Sequence, residues 1–406
     1  MALLFSWHLN AAIVRVCSTC QARSVRDGIE LARDGDRILV EKGTYNESNI
    51  VIDKKVSLEG INYPVVDAGM TENEIFIINS DSVTLQGFQV QNIKPSYLND
   101  LAGIRVKRKE HFIIRNNRLI RTMFGIYLEY SNKGLVENNE AIGFAEEEAS
   151  SGNGIHAWYC NELRIRNNRI FQQRDGIYFE FVEQSSIEEN ICRDNLRYGL
   201  HFMFSNYDTY SGNTFRSNGA GVAVMFSKQI NMYNNHFEEN WGGASYGLLL
   251  KEIYDADIKH NVFDRNTIGI RVEGSTRIKY LSNDFINNGW AIKVAGGCYD
   301  NTFASNNFIS NSFDLAMGET SNNNLIKGNY WSDYSGYDLD RDGTGDVPHR
   351  PVKLFNFIVL RTPESVILLR SLFIDIINFS EKVSPVLTPK NVVDNAPLMK
   401  RINHKS

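Results

Sequence analysis

The chain has 406 residues, enough for two or three ordinary domains, and a formal net charge of −5 from 43 Lys+Arg against 48 Asp+Glu. This near balance, without a long basic run, argues against nucleic acid as a partner, and the sequence lacks the run of about 18 apolar residues typical of a membrane-spanning helix. Hydrophobic residues make up 42% of the chain and prolines number only 8, which favours many short turns over a helical globule.

Residues 1–23 are predicted to be a separate N-terminal segment. Met1–Phe5 is apolar, but polar residues soon interrupt the run and no basic residues precede it, so a secretory signal here would be degenerate or truncated. Cys17 and Cys20 form a C-x-x-C motif near this end. Because no further metal ligands lie close in sequence, a local disulfide or two free thiols is favoured over a soft-metal site.

Residues 24–351 are predicted to form a repeat domain with its own cap. The sequence SVRDGIELAR, residues 24–33, has the pattern of a short amphipathic helix, and residues 35–60 are predicted to form the first strands. Solenoids need such a cap because the terminal repeat would otherwise leave its apolar side open.

A repeat of about 22 residues is marked independently by glycines and by asparagines. In both sets most steps are 22 or 23 residues, and the longest, 29 and 26 residues, coincide with insertions. The glycine set, with one alanine, comprises Gly103, Gly125, Gly154, Gly176, Gly199, Gly221, Gly247, Gly269 and Ala291. The asparagine set comprises Asn117, Asn139, Asn168, Asn190, Asn213, Asn235, Asn261, Asn283, Asn307 and Asn329.

The residues after each glycine alternate between apolar and other types, as in Ile126/Leu128 and Val222/Val224. A period of two predicts a strand with one buried face. Asparagine at one point of every coil suits a turn, since it tolerates left-handed backbone geometry and its amide can bond to neighbouring coils. The sequence therefore predicts an all-β, right-handed parallel β-helix of the pectate-lyase type, with short helices at its C-terminal end.

The sequence DLDRDGTGD near the end of the repeat domain predicts a calcium loop. Asp338, Asp340 and Asp342 occupy positions 1, 3 and 5 of such a loop, and Asp346 occupies position 9. Position 12 is His349 in place of the usual bidentate glutamate. The alternative is an Asp/Gly-rich turn held by its own backbone bonds.

Residues 352–406 are predicted to be a helical extension. Lys353–Arg361 and Pro363–Val383 have amphipathic patterns, and Thr362 is a candidate N-cap before a proline at the first helical position. These helices would cap the solenoid or dock onto a partner. The predicted apolar side consists of Leu368, Leu369, Leu372, Phe373 and Ile376.

The second and fourth positions after each glycine are expected to face outward. Met203 and Met225 share a position on successive coils, so their side chains should lie about 5 Å apart, and His201 precedes Met203 by two residues on the same face. Two thioethers and an imidazole are soft ligands that favour Cu(I). A protein-contact patch, or packing beneath a loop, are the alternatives.

Other outward positions predict a partner-binding stripe. Insertions at residues 145–152 and 238–246 both fall between the asparagine turn and the glycine strand, so they should overhang one edge of this stripe. The stripe comprises His156, Trp158, Tyr178, Glu180 and Trp241.

Many parallel β-helices bind or cleave acidic polysaccharides, which requires clustered carboxylates for acid–base catalysis. Here Glu129 and Glu180 stand two coils apart, and no aspartate pair occupies adjacent coils in one register. The sequence therefore predicts that the protein is not an enzyme, with a polysaccharide-binding, lyase or hydrolase β-helix as the alternative.

Several segments together resemble the NosD-type accessory proteins of nitrous oxide reductase. They include NLRYGLHFMFSN, GAGVAVMFS, GNYWSDYSGYDLDRDGTGDVPHRP and SPVLTPKNVVDNAPLM, and the resemblance extends from about Ser24 to Met399. The family's H-x-M and V/L-M-x-S segments fall on His201, Met203 and Met225.

This resemblance implies a periplasmic protein that assists copper-site assembly in nitrous oxide reductase. Its implied partners are the permease and ATPase of an ABC transporter, the reductase itself and a copper-chaperone lipoprotein. Cu(I) would be held transiently, and the C-terminal helices would contact the permease.

Overall fold

The structure, a computed structural model, describes residues 11–317, 323–369, 371–383 and 392–404. The chain divides into two compact units, Met1–Tyr178 and Phe179–Ser406. In each unit it winds as a right-handed solenoid with three parallel sheets, which confirms the predicted fold class. The division into segments 1–23, 24–351 and 352–406 stays a prediction.

The first unit consists of short strands, a helix α1 (Val25–Leu31) and a 3₁₀ turn at Glu148–Ser150. Its strands are β1 (Ile13–Val16), β2 (Arg37–Val40), β3 (Thr44–Tyr45), β4 (Ile50–Ile52), β5 (Ser57–Gly60), β6 (Val65–Thr71), β7 (Phe76–Ile78), β8 (Thr84–Gln86), β9 (Gln89–Ile93), β10 (Ala102–Lys107), β11 (Ile113–Arg115), β12 (Arg118–Ile120), β13 (Phe124–Glu129), β14 (Leu135–Glu137), β15 (Glu140–Ile142), β16 (Ile155–Trp158), β17 (Arg164–Arg166), β18 (Arg169–Phe171) and the beginning of β19 (Ile177–Glu180).

The start of this unit is capped as the sequence predicts. The Ser24 hydroxyl accepts a hydrogen bond from the Asp27 amide (3.0 Å), and the Asp27 carboxylate accepts one from the Ser24 amide (3.1 Å), forming a capping box at α1. Strand β1, which lies within the predicted N-terminal segment, pairs in parallel with β2. The first sheet therefore begins before the helical cap.

The second unit is built from the same kind of three-strand coil and ends in helices α2 (Leu354–Arg361) and α3 (Leu372–Val383). Its strands after β19 are β20 (Ser186–Glu188), β21 (Ile191–Arg193), β22 (Tyr198–Met203), β23 (Thr209–Ser211), β24 (Thr214–Arg216), β25 (Ala220–Met225), β26 (Asn231–Tyr233), β27 (His236–Glu238), β28 (Leu248–Lys251), β29 (Tyr254–Lys259), β30 (Val262–Asp264), β31 (Ile268–Glu273), β32 (Thr276–Leu281), β33 (Asp284–Ile286), β34 (Trp290–Ala295), β35 (Thr302–Ala304), β36 (Asn307–Ile309), β37 (Phe313–Ala316), β38 (Leu325–Lys327) and β39 (Tyr330–Trp331).

The repeat glycines are required by the close approach of neighbouring coils. A β-carbon on Gly125 would lie 2.4 Å from the carbonyl oxygen of Gly154, and one on Gly221 would lie 2.3 Å from that of Gly247. Since no β-carbon fits at such distances, the residue type that marks the repeat in the sequence is also the one required at these positions of the second sheet, which contains β22, β25 and β28.

Buried asparagines form a hydrogen-bonded ladder between coils in each unit. In the first unit, the Asn117 side chain donates to Asn139 (3.1 Å), which donates to Asn168 (3.0 Å). In the second, the ladder runs from Asn190 to Asn329. These bonds confirm the predicted role of the side-chain amides. Left-handed backbone geometry, however, is found at the residue before each ladder asparagine, such as Asn116 or Asn234. The turn at that residue directs the next side chain into the ladder.

The prediction of the ladder is wrong at one position, where it names the asparagine one residue after the one that forms the bonds. The Asn283 side chain donates to Asn306 (3.0 Å), and Asn306 donates to Asn329 (3.0 Å). Asn307 instead donates to the Asp284 carboxylate (2.6 Å) and to the carbonyl oxygen of Ile402 (2.9 Å). Adjacent asparagines made the two positions indistinguishable by spacing alone.

The core of the second unit contains stacked aromatic rings from the third sheet. Five successive pairs have ring centroids 4.1–5.5 Å apart, which adds about 0.5–1.5 kcal/mol per pair to the burial of apolar area. The stack comprises Phe215, Phe237, Phe263, Phe285, Phe308 and Trp331.

The C-terminal helices differ from the prediction in two respects. The single helix expected over Pro363–Val383 is divided into a 3₁₀ helix, Pro363–Leu368, and α3. Thr362 makes no capping hydrogen bond through its side chain, because its backbone lies outside the usual N-cap geometry (φ −137°, ψ 81°). Among the described residues, no helix has the length and apolar character needed to cross a membrane.

Candidate functional site

Met203 and Met225 are brought together as the sequence predicts. They end β22 and β25 and are paired directly across these parallel strands, which lie about 4.8 Å apart. Both side chains are partly exposed, whereas the neighbouring Phe202 and Val224 are fully buried in the core. The alternation that separates core from outer positions is therefore confirmed here.

His201 lies on the same outer side of β22 but is not exposed, contrary to the expectation. Only 5% of the residue is accessible, because the Tyr198 ring covers its imidazole at 4.7 Å and an Arg197 guanidinium nitrogen lies 3.4 Å from its Nδ1. Its strand partner is Ala223, which leaves space for the ring between coils. The predicted ligand trio thus combines two accessible thioethers with a covered imidazole.

The insertion at residues 238–246 contributes to this covering. Tyr246 is buried in an apolar layer on the outer side of the second sheet, together with Ala223 and Leu249, and Met225 and Tyr198 pack against that layer. Burial and a hydrogen bond with Tyr198 raise the pKa of Tyr246. Trp241, from the same insertion, is 56% exposed.

A stack of aromatic rings at the ends of β19, β22 and β25 was missed by the sequence reasoning. The rings of Phe181, Phe204 and Phe226 stack in succession, with centroids 5.1 and 5.2 Å apart. Each residue has positive φ, and each follows the last residue of its strand. The sequence signal was an aromatic residue at the same position of three successive coils. The stacked rings therefore form an apolar, polarizable surface next to the accessible methionines.

The predicted partner-binding stripe is only partly exposed. In the first unit, His156 is buried, and its Nδ1 accepts a hydrogen bond from the side-chain amide of Asn153 (2.9 Å). Its ring packs against those of Tyr127 and Tyr178, with centroids 4.4 and 4.8 Å away. Burial, with Arg174 and Arg105 nearby, lowers its pKa to about 3. The expectation of an exposed His156 is therefore wrong, because aromatic neighbours on the same face enclose it.

The remaining stripe residues retain some exposure. Trp158 and Tyr178, in the first unit, and Glu180, in the second, are half-buried. Trp158 contacts Tyr130 and Tyr159 with ring centroids 5.0 and 5.1 Å away. Their partner-binding role stays a prediction.

A cavity of about 390 Å³ in the first unit was not predicted. Arg105 lies in its wall between Glu74, with which it forms an ion pair, and Glu129, 3.7 Å away, and its guanidinium also lies 4.3 Å from the centre of the Tyr127 ring. Glu129 is further paired with Lys107 at 2.9 Å. Both carboxylates are therefore engaged with cations.

Three of the four predicted calcium ligands come together. Carboxylate oxygens of Asp338, Asp340 and Asp342 lie within 4.8 Å of one another, while Asp346 is not in this group among the described residues. The Asp346 carboxylate instead accepts a hydrogen bond from the Leu339 amide (2.7 Å). Backbone amides also bond to Asp338 and Asp342, as a self-supported turn requires. Calcium binding stays a prediction.

Comparisons with known proteins match the chain to one family. The family model described as "Periplasmic copper-binding protein (NosD)" matches residues 29–148 and 144–336. "Probable ABC transporter binding protein NosD" of Pseudomonas aeruginosa is 29% identical over 445 residues, covering 97% of this chain and 95% of that protein. The protein of the same name from Stutzerimonas stutzeri is 28% identical over 320 residues, covering 74% of this chain and 72% of that protein.

Solved structures share the fold but little sequence. The A-module of mannuronan C-5 epimerase AlgE4 from Azotobacter vinelandii gives a TM-score of 0.52 at 15% identity, covering 74% of this chain and 89% of that one. PfbA, a surface adhesin of Streptococcus pneumoniae, gives 0.55 at 11% identity, covering 75% and 85%. Such similarity supports the solenoid fold alone.

Proposed function

The chain belongs to the NosD family of periplasmic copper-binding proteins, and on that premise we propose that it holds Cu(I) transiently and presents it to apo nitrous oxide reductase. The proposed ligands are Met203, Met225 and His201. The observation that carries the proposal is the direct pairing of the two methionines across β22 and β25, with both side chains outside the core. Two thioethers one strand spacing apart match the ligand preference of Cu(I).

The covered imidazole suits a transient site. Met203 and Met225 are accessible first, and His201 becomes a third ligand when the Tyr198 ring moves from its position 4.7 Å away. Displacing this ring costs packing energy, which limits how tightly the ion is retained. Copper is cargo here, so moderate affinity favours its release to the reductase.

The energy for transfer would come from partner proteins, so the chain itself is proposed to act without catalysis. The names of its relatives describe ABC transporter binding proteins, which supports a complex with a permease and an ATPase. A copper-chaperone lipoprotein would supply the ion. The exposed residues Leu372, Phe373 and Ile376 of the C-terminal helices are proposed to contact the permease, and Trp158 and Trp241 to contact the protein partners.

Anaerobic titration with Cu(I) against a competing chelator tests the proposed site. The Met203→Ala/Met225→Ala double variant should bind Cu(I) at least about tenfold more weakly than the unchanged protein, a loss of about 1.4 kcal/mol. Met70→Ala is a matched control, because Met70 is 43% exposed and lies in the first unit. Equal Cu(I) affinity in the double variant and in the control would refute the site.

A glycan-binding β-helix is the second candidate, favoured by the cavity beside Glu74 and Glu129 with the Trp158 ring in its lining. Binding or cleavage of uronic-acid polymers, abolished by Glu129→Gln, would support it. Cleavage is not expected, because both carboxylates are engaged in ion pairs with Arg105 and Lys107 and are not available as an acid–base pair.

A further inference from the structure

Cys17 and Cys20 form a disulfide in the turn that follows β1. Of the two states favoured for the C-x-x-C motif, a local disulfide or two free thiols, the structure has the disulfide. The turn is also closed by backbone hydrogen bonds, from the Cys17 amide to the Ala22 carbonyl oxygen (3.1 Å) and from the Cys20 amide to the Cys17 carbonyl oxygen (3.2 Å). Val16 and Ala22, which flank the turn, are fully buried and form an isolated parallel bridge.

The disulfide is therefore redundant as a structural link. A disulfide stabilises a fold mainly by restricting the unfolded chain, and the effect grows with the length of the closed loop. Here the two cysteines are only three positions apart, and hydrogen bonds and buried side chains already fix the turn. Little stability is expected from this covalent bond.

The exposure of the five cysteines points to exchange chemistry at this one pair. Cys17 and Cys20 are partly exposed, whereas Cys160, Cys192 and Cys298 are buried. Burial raises the pKa of the Cys160 thiol to about 12 and also raises the pKa of the other two buried thiols. The buried thiols therefore supply almost no thiolate at neutral pH, and they do not compete for the exposed disulfide.

We propose that Cys17–Cys20 is a reversible thiol–disulfide exchange site for a partner protein with an active dithiol, of the thiol–disulfide oxidoreductase class. A partner thiolate attacks Sγ of Cys20, the Cys17–Cys20 bond breaks, and its electron pair goes to Cys17, which takes a proton from water. The Thr19 hydroxyl, 3.5 Å from Cys17 Sγ, donates a weak hydrogen bond to this leaving sulfur.

The second partner thiol, as its thiolate, then attacks the partner sulfur of the mixed disulfide and releases Cys20, which is protonated. The net result is transfer of two electrons and two protons. The partner dithiol becomes a disulfide, and Cys17 and Cys20 become thiols. The reverse sequence reoxidises the motif. The site lies in the first unit and does not depend on the copper proposal.

Alkylation of the folded protein after equilibration in glutathione redox buffers tests this inference. Intact-mass analysis should find both motif thiols alkylated under reducing buffer and neither under oxidising buffer, with the three buried cysteines unmodified. The melting temperature should differ by less than about 2 °C between the two forms, since the fold does not need the bond. A disulfide that resists reduction until the protein unfolds, or a much larger loss of melting temperature, would overturn the proposal.

Peptide mapping determines which sulfur is attacked, and two variants test whether the disulfide is responsible for the reactivity. Peptide mapping of the mixed disulfide with glutathione should place the adduct on Cys20, and finding it on Cys17 would contradict the proposed order. Cys17→Ser/Cys20→Ser should remain folded and yield no alkylated product under native conditions. Ser18→Ala, in the same turn, should behave as the unchanged protein in every assay, and its failure to do so would show that the turn, not the disulfide, governs the result.

Discussion

At the scale of single residues, Asp394 shows how the asparagine ladder ends. Its carboxylate accepts hydrogen bonds from the side-chain amide of Asn329 (3.1 Å) and from the backbone N–H groups of Asn329 (3.0 Å) and Gly328 (3.0 Å). It also accepts one from the Trp331 indole (3.1 Å), and the residue is fully buried. Asp394 thus occupies the place that the next asparagine would take, and it closes the ladder with a group that only accepts.

Replacing Asp394 by alanine should destabilise the protein by at least about 4 kcal/mol, because several buried donors lose their acceptor at about 1–3 kcal/mol each. Asp394→Asn should lose roughly 1–2 kcal/mol, since it keeps one acceptor oxygen. Chemical denaturation monitored by tryptophan fluorescence measures both. A small and equal loss in the two variants would show that water replaces the carboxylate, and that Asp394 is not needed to close the ladder.

Single residues also show which features of the site could be predicted from the sequence and which could not. Alternation along β22 correctly placed His201 and Met203 on the outer side, because side-chain direction in a strand depends only on position. It could not predict that the Tyr198 ring lies over His201, since exposure depends on what neighbouring residues place above a strand. Asp394 was missed for a related reason: 65 residues separate it from Asn329, and it belongs to no repeat.

At the scale of elements, the strands were predictable and the C-terminal helices were less so. Every coil repeats one sequence pattern, so a weak strand signal in one coil is supported by the same signal in the others. Helices α2 and α3 each occur once, so their sequence signals have no such support. The predicted apolar side of α3 contains Phe373 and Ile376, yet these are 61% and 55% exposed, whereas the adjacent Ile374 is buried. Ile374 packs in a cluster with Phe355 and Val359 of α2, which leaves the rest of the apolar surface uncovered.

The exposed side of α3 gives an element-scale prediction. Phe373→Ser/Ile376→Ser should leave the melting temperature almost unchanged, because both side chains are mostly exposed, yet reduce co-purification with the permease by about tenfold, equivalent to about 1.4 kcal/mol. Leu98→Ser, at a residue 93% exposed in the first unit, is the matched control. Undiminished co-purification of the double variant would exclude this surface as the contact.

At the scale of the whole molecule, pH acts on stability through several buried groups with opposite signs. Burial lowers the pKa of His156 to about 3, so the unfolded chain binds more protons than the folded one between about pH 3 and 6.5, and stability falls as the pH falls through this range. Burial raises the pKa of Asp314, and the nearby Asp333 carboxylate adds to the effect. Ionisation of Asp314 is therefore less favourable in the folded chain than in the unfolded one, so this group lowers the stability of the fold as the pH rises above about 4, the usual pKa of an aspartate.

Because these contributions oppose each other, the pH profile of the unchanged protein does not isolate either group, but a substitution does. His156→Gln keeps a side chain able to accept a hydrogen bond from Asn153 and removes the titration. Between pH 7 and pH 5 the unchanged protein should lose about 2 kcal/mol more stability than the variant, which is 1.5 pH units at about 1.4 kcal/mol each below the unfolded pKa. Chemical denaturation of both proteins at the two pH values gives the difference directly. Equal losses of stability in the unchanged protein and the variant would mean that His156 becomes protonated in the folded state without penalty. The aromatic enclosure formed by Tyr127 and Tyr178 would then open readily to water.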